Sequence, residues 1–411
     1  MSLAGRQVLV SEIGCAPSPR PPEGYHTAPR AQAWRSRRRC AWMLRPGCRA
    51  VGRCQVQEMS EVLMHGRTWY EAQETPRDVS WKMLRSLRHN PPGSAASGFR
   101  SRIFDASLEQ AEQLFRAAEL TGPQARPLLL FYGLSQAGRA ISAAASGITN
   151  AEARLYGHGI TVNDLAIASS HSLAQLEISP SAGSFSQVAK ALGSTNFESD
   201  TSIGDPWGLL PGLERFPLTG AAISTPLFLN WSQSSAGNVL VDILPLPSSL
   251  LYVASDSATA ARGSEEEWQA ERARVTNYLN RYPSLAGFNF LNPTGPASLR
   301  LIGDQRCAIT MTCAMRPGES PDDALNRHCV TYLGARFALR ALNSNPMPPH
   351  PIVIWWAILY TLSMLARYQP DAWAKYVDVS KSPDAIPIED LLDAALNVLP
   401  EAIYRAIVSV V

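Results

Sequence analysis

A mainly α-helical protein of α+β character is the fold class this sequence predicts, with central apolar helices and a β-containing segment inserted between N- and C-terminal helical parts. Three observations predict it. Two long apolar stretches, residues 127–146 and 352–368, keep helical periodicity with little charge, as central helices do. Between about Leu218 and Met315 the pattern changes to short apolar runs bounded by Pro, Gly and Asn. Hydrophobic residues are 45% and charged residues 18% of 411, a globular composition with chain enough for two or three cores or one large one.

Residues 1–58 carry no sustained periodicity and are rich in Arg, Pro, Ala, Gly and Cys. A basic arm, an Arg-rich transit peptide, or an upstream stretch translated in error with the true start at Met59 all fit that composition. We take the third, and on any of the three the stretch is expected to be disordered. The helical N-terminal part is then 59–217, the β-containing segment 218–318, and the C-terminal helical part that completes the core 319–411.

Residues 78–92 read as a short amphipathic helix ending before Pro91-Pro92. Ser107 is placed to N-cap a helix through Leu120, with Leu108, Ala111, Leu114, Phe115 and Ala118 on one face. Gly122-Pro123 breaks it, and Pro127 suits the first turn of the next helix, which runs to about Ser146. Within that helix Gly133, Ala137, Ala140 and Ala144 form a small-residue stripe that lets a neighbour approach closely. Ser186–Leu192 is expected to be helical, and Trp207–Leu213 a short helix and turn. Strands are expected at 239–244, 299–302 and 307–311, with one charged helix from Glu265 to Tyr282. Residues 321–342 return to helical periodicity. After a Pro-rich stretch comes the apolar helix Ile352–Tyr368, whose roughly 15 uncharged residues are short of the about 20 a membrane span needs. It is read as a core helix, so no membrane association is expected. Ile388–Val411 is a final helical region.

The net charge of +2 hides an asymmetry: residues 1–58 hold ten Arg, no Lys and three Glu, a net +7, which leaves the body at −5. A mildly acidic body gives no strong nucleic-acid signal. Cys307, Cys313 and Cys329 have no C-x-x-C spacing and read as buried small apolar residues, compatible with a reducing cytoplasm. No Cys/His set has zinc spacing, and there is neither a P-loop nor Gly-x-Gly-x-x-Gly, so no metal and no cofactor are expected.

Chemistry concentrates in a repeated pattern. Tyr132-Gly133-Leu134-Ser135-Gln136-Ala137-Gly138-Arg139 and Tyr360-Thr361-Leu362-Ser363-Met364-Leu365-Ala366-Arg367 both read Tyr-x-Leu-Ser-x-x-small-Arg. Each places Tyr, Ser and Arg on one helical stripe. A buried arginine needs a partner, and two reasons for it compete. Both arginines reach solvent or a core carboxylate from helix ends, or the two helices meet and line one polar cavity. There Tyr132, Arg139, Tyr360 and Arg367 would hold a phosphate or carboxylate. His158, between Gly157 and Gly159, is either a partly exposed residue in a tight helix-to-helix turn or a ligand-contacting, proton-transferring one, the one weak candidate for catalysis. Ser135 misses the Gly-x-Ser-x-Gly spacing of a hydrolase elbow. Arg154 and His158 miss the Arg-x4–6-His spacing of helical nucleases, as does Arg327-His328.

Several of these segments carry a resemblance. Pro127–Leu134, the turn Gly157-His158-Gly159-Ile160, Gly183-Ser184-Phe185, and Leu359-Tyr360-x-Leu362-Ser363-Met364-Leu365-Ala366-Arg367-Tyr368-x-Pro370-x-x-Trp373 resemble the YaaC-like protein family of bacteria over roughly residues 78–411. The resemblance implies a bacterial, cytoplasmic, soluble and mainly helical protein, and it transfers no catalytic residue. The function expected is binding of a small anionic ligand or of a partner, either another protein or a second copy. The alternative is an enzyme, nuclease or phosphate-handling, that uses His158 with Arg139 and Arg367.

Overall fold

A computed structural model describes residues 75–411 apart from 164, 166–171, 223, 236, 252–263, 304 and 343–346. They fall within a compact unit spanning Arg49–Val411. The expectations for residues 1–58 lie outside the described residues.

The described residues are about 50% helical and 16% strand, with two antiparallel sheets, so the fold is mixed α+β and not mainly helical. The excess of strand has identifiable sources. Leu227–Ser235 and Phe288–Phe290 are strands that short, Asn- and Ser-containing runs concealed. Residues 321–342, expected to be helical, contain only the one-and-a-half-turn helix Pro321–Asn326 and then strands Val330–Tyr332 and Ala335–Ala338. These last two form a hairpin whose second strand pairs with Leu227–Ser235. Edge pairing to an existing sheet outweighed a local helical pattern.

In chain order, helices α1 (Arg77–His89), α2 (Gly98–Glu119) and α3 (Arg126–Ala144) come first. A small sheet follows, made of β1 (Ile160–Val162), β2 (Glu177–Pro180) and β3 (Thr201–Ser202), with α4 (Ser184–Ala191) between β2 and β3 and α5 (Gly204–Trp207) after β3. The seven-stranded sheet takes β4 (Leu227–Ser235), β5 (Asn238–Pro247), β6 (Phe288–Phe290), β7 (Leu299–Gly303), β8 (Arg306–Ala314), β9 (Val330–Tyr332) and β10 (Ala335–Ala338), in order β6-β8-β5-β4-β10-β9 with β7 also on β8. Helices α6 (Glu265–Leu279) and α7 (Pro321–Asn326) interrupt it. Helices α8 (Pro351–Tyr368), α9 (Pro370–Tyr376) and α10 (Ala385–Ser409) close the chain.

Strand alternation divides the large sheet between two cores. Leu227, Leu229, Val241, Ile243, Ile309 and Met311 point to one side, where Val275 and Leu279 of α6 and Leu325 of α7 cover them. Phe228, Leu244, Ala308 and Phe337 point to the other side and join the helical core of α1, α2, α3, α8 and α10. Cys307, Cys313 and Cys329 are free and buried. Burial pushes the Cys307 thiol up to about 11 and that of Cys329 to about 12, so these are packing groups rather than nucleophiles.

Ser107 does not cap a helix. It lies buried inside α2, which starts at Gly98. The extra turns are held by Arg100, 5% exposed, which donates to the carbonyls of Ala145 and Ile148 and to Asn150 Oδ1. That anchor lies about 50 residues away in sequence, beyond the reach of a local cap signal.

Helix α8 begins cleanly. His350 Nδ1 accepts the Ile352 N–H at 3.1 Å and Pro351 occupies the first turn. Among the described residues it alone is long and apolar enough to cross a membrane, and 83% of it is buried inside the protein. Only its last turn, with Arg367 and Tyr368, emerges.

Candidate functional site

Helices α3 and α8 meet in the core. The Phe131 ring lies 5.3 Å from Tyr360 and 6.1 Å from Trp356. Gly138 receives Trp356 so closely that a Cβ there would stand 2.4 Å from its ring. Gly133 does the same for Phe115 of α2 at 2.8 Å. The small-residue stripe was legible in the sequence; that Gly138, which lies outside it, receives Trp356 of α8 was not.

The contacts fix direction. Gly138 meets Trp356, Phe131 meets Tyr360, and Tyr132 meets Arg367, so the helices run antiparallel. The two arginines of the repeated pattern therefore belong to opposite ends of the contact. Arg367 donates from Nη1 to the Tyr132 hydroxyl at 3.1 Å, and its guanidinium lies over the Tyr368 ring at 4.9 Å. Arg139 lies two turns further along α3, about 10 Å by helical rise. It donates to the Leu155 carbonyl at 2.8 Å. Neither arginine forms an ion pair with a carboxylate among the described residues.

His158 reaches the same place by another route. The loop that carries it is not a helix-to-helix turn: it leaves the turns after α3 and enters β1. It is clamped against the start of α4. The His158 carbonyl accepts the Phe185 N–H at 2.9 Å, the Gly159 carbonyl accepts that of Ser181 at 2.9 Å, and Ser184 donates its hydroxyl to the Gly157 carbonyl at 2.7 Å. Gly159, at φ +73°, and Gly183, at φ +147°, touch backbone to backbone; a Cβ on either would come within 2.7 Å of the other. Two of the segments that carried the family resemblance are thus one structural clamp. Only glycine fits where two main chains approach this closely.

Clamped in this way, the exposed His158 ring sits 5.8 Å from Phe131 and 5.6 Å from Tyr360. The site that results joins Tyr132, His158, Tyr360 and Arg367, with Phe131 beneath and Tyr368 at the rim. Phe131 and Tyr368 belong to the segments that carried the resemblance, but nothing in the sequence placed them at the site. Tyr360 is 5% exposed, and burial, with Tyr368 and Tyr132 nearby, raises its hydroxyl pKa above the usual value. It remains a protonated donor at neutral pH. Tyr132 accepts from Arg367 and so keeps its own proton to donate. Arg139 is outside this set, but it holds Leu155, three residues before His158, and so positions the loop. Ser363 donates to the Tyr360 carbonyl and contributes nothing to the site. Among the described residues no group of three or more His, Cys, Asp or Glu side chains could hold a metal ion.

A family model described as YaaC-like Protein matches residues 67–407. The chain belongs to the YaaC-like family. The match takes in every element of the site of this YaaC-like chain, from α3 through the glycine clamp to the last turn of α8. No curated protein matches the chain, and no solved structure does.

Proposed function

We propose that the protein binds a small anionic ligand, its phosphate or carboxylate held by Arg367, Tyr132 and Tyr360 with His158 alongside. The observation that carries this is an arginine exposed at a helix end that pairs with a tyrosine hydroxyl rather than with a carboxylate. The cluster offers donors: a guanidinium, two phenol hydroxyls and an imidazole on an aromatic floor. Such a set, with one cation and no carboxylate among its members, suits acceptor-rich anions. The alternative of an enzyme built on His158 with both arginines is less well supported, because Arg139 turns to the Leu155 carbonyl. A reducing bacterial cytoplasm is part of the same proposal, supported by three free, buried thiols.

Isothermal titration of the full chain with inorganic phosphate and with adenosine monophosphate tests this. Saturable binding of either is expected, weakened about tenfold or more by Arg367→Met and less by Tyr132→Phe, as loss of a charge-assisted hydrogen bond predicts. Equal affinity in wild type and Arg367→Met, or no binding of either anion, would overturn the proposal.

A further inference from the structure

Behind the opposite end of α8 lies a concavity that the repeated pattern does not touch. It is a cleft of about 320 Å³ between β9, the start of α8 and the last turns of α10. Its size is at the lower end of what small-molecule sites occupy. Pro351 and Arg367 are sixteen residues apart on one helix, about 24 Å by helical rise, so this cleft is separate from the site above.

Most of the lining is carbon, from Leu333, Pro351, Ala402, Ala406 and Val408. The side chains of Thr331, Tyr332 and Ser409 add hydroxyls to the lining, and no carboxylate is among its residues; three further groups, on Arg405, His350 and Tyr404, can donate. Arg405 directs Nε and Nη2 to Glu401 Oε1, both at 2.7 Å, which leaves Nη1 without a hydrogen-bond partner among the described residues. Its guanidinium lies flat on Gly334, at φ +80°, where a Cβ would stand 2.9–3.2 Å from three of its atoms. Glu401 is itself buried, and its second oxygen accepts the Thr75 N–H at 2.8 Å, so its acceptor capacity is turned away from the cleft. His350 uses Nδ1 to accept the Ile352 N–H, which puts its ring proton on Nε2. The Tyr404 hydroxyl makes no hydrogen bond among the described residues.

We infer that this cleft is a binding site for a small monocarboxylate with a compact apolar body. The carboxylate would meet Arg405 Nη1 and the neutral donors of His350 and Tyr404, and the apolar body the carbon lining. A dianionic phosphate fits less well, because the only cation there is already half-neutralised by Glu401 and the walls are apolar. An arginine between two carboxylates is chemically ordinary, since its fork carries five N–H donors.

The test is titration of the full chain with benzoate and with hexanoate, followed by calorimetry and by saturation-transfer NMR, with benzamide as the neutral counterpart of benzoate. At least one acid is expected to bind saturably, and benzamide at least tenfold more weakly than benzoate. Arg405→Met should weaken binding about tenfold or more. Because that change strands the buried Glu401, a second variant works from the exposed rim: Ser409→Trp should occlude the cleft, abolish binding and leave the circular dichroism spectrum unchanged. Arg367→Met should leave the binding that Ser409→Trp abolishes as it was, which separates this cleft from the anion site around Arg367, where a carboxylate can also bind. Absence of saturable binding of both acids, or unchanged affinity in Ser409→Trp, overturns it.

Discussion

In α3 the arginine of the Tyr-x-Leu-Ser-x-x-small-Arg pattern is half-buried and directs its hydrogen bond to the Leu155 carbonyl; in α8 the same position is exposed and meets Tyr132. The tyrosines differ in the opposite sense, Tyr360 buried and Tyr132 half-buried. One local pattern thus has two outcomes, because antiparallel packing sets the start of one copy beside the end of the other. In α3 the arginine supports a loop, and in α8 it is offered to solvent beside a hydroxyl. Identical residue types on identical stripes do not imply identical roles; the register of the two helices decides.

That comparison can be broken at its hinge first. Gly138→Val should have the largest effect, about 3 kcal/mol of lost stability in denaturant unfolding, because the side chain must displace the fully buried Trp356. A loss under about 1 kcal/mol would mean that α3 and α8 are not as tightly registered as described. Gly159→Ala comes next, at about 2 kcal/mol, from a positive φ combined with main-chain contact at Gly183. It should also release the His158 loop, seen as faster amide exchange over residues 155–160.

The start of α8 supplies a pH test. Burial pushes the His350 pKa down to about 4, below the unfolded value of about 6.5. Between those values the unfolded chain binds more protons, so stability falls as pH drops from about 6.5 to about 4 and levels off below. The contribution is at most about 3 kcal/mol, and less where cleft water reaches the ring. His350→Asn keeps a capping side chain and should flatten that part of the stability–pH curve; an unchanged slope would show that the ring titrates normally.

The two arginines give the smallest and most specific contrast. Arg139→Met should cost about 1–2 kcal/mol through the lost carbonyl partner and loosen residues 155–159. Arg367→Met should change stability by no more than about 0.5 kcal/mol, since the residue is exposed. Equal costs for the two would erase the distinction between a positioning arginine and one available to a ligand.

Long elements whose periodicity agrees with their burial were readable from the chain. Helices α1, α3, α8 and α10, the charged helix α6 and the strands at 239–244, 299–302 and 307–311 all lie where their patterns put them, to within a few residues. Elements made by distant partners were not. Helix α2 is lengthened by an arginine that binds carbonyls after α3, and β9 and β10 exist because β4 offers an edge. The site shows the same division. Tyr132, His158, Tyr360 and Arg367 were identifiable as unusual groups in apolar or glycine-flanked settings. Arg139 was indistinguishable from Arg367 by pattern, and the Gly159–Gly183 contact joins positions 24 residues apart that share no periodicity.

By itself the sequence determines which residues are apolar, where proline bounds a helix, and which polar side chains lie in apolar surroundings. Those are local properties, set by 3.6- and 2-residue periods, proline geometry and caps. Only the tertiary structure decided that α3 and α8 run antiparallel, that Arg367 and not Arg139 meets Tyr132, and that two glycine turns lock His158 onto their aromatic face. The physical reason is that packing register and backbone approach depend on the volumes of side chains brought together from far apart in the chain, here Gly138 with Trp356 and Gly159 with Gly183.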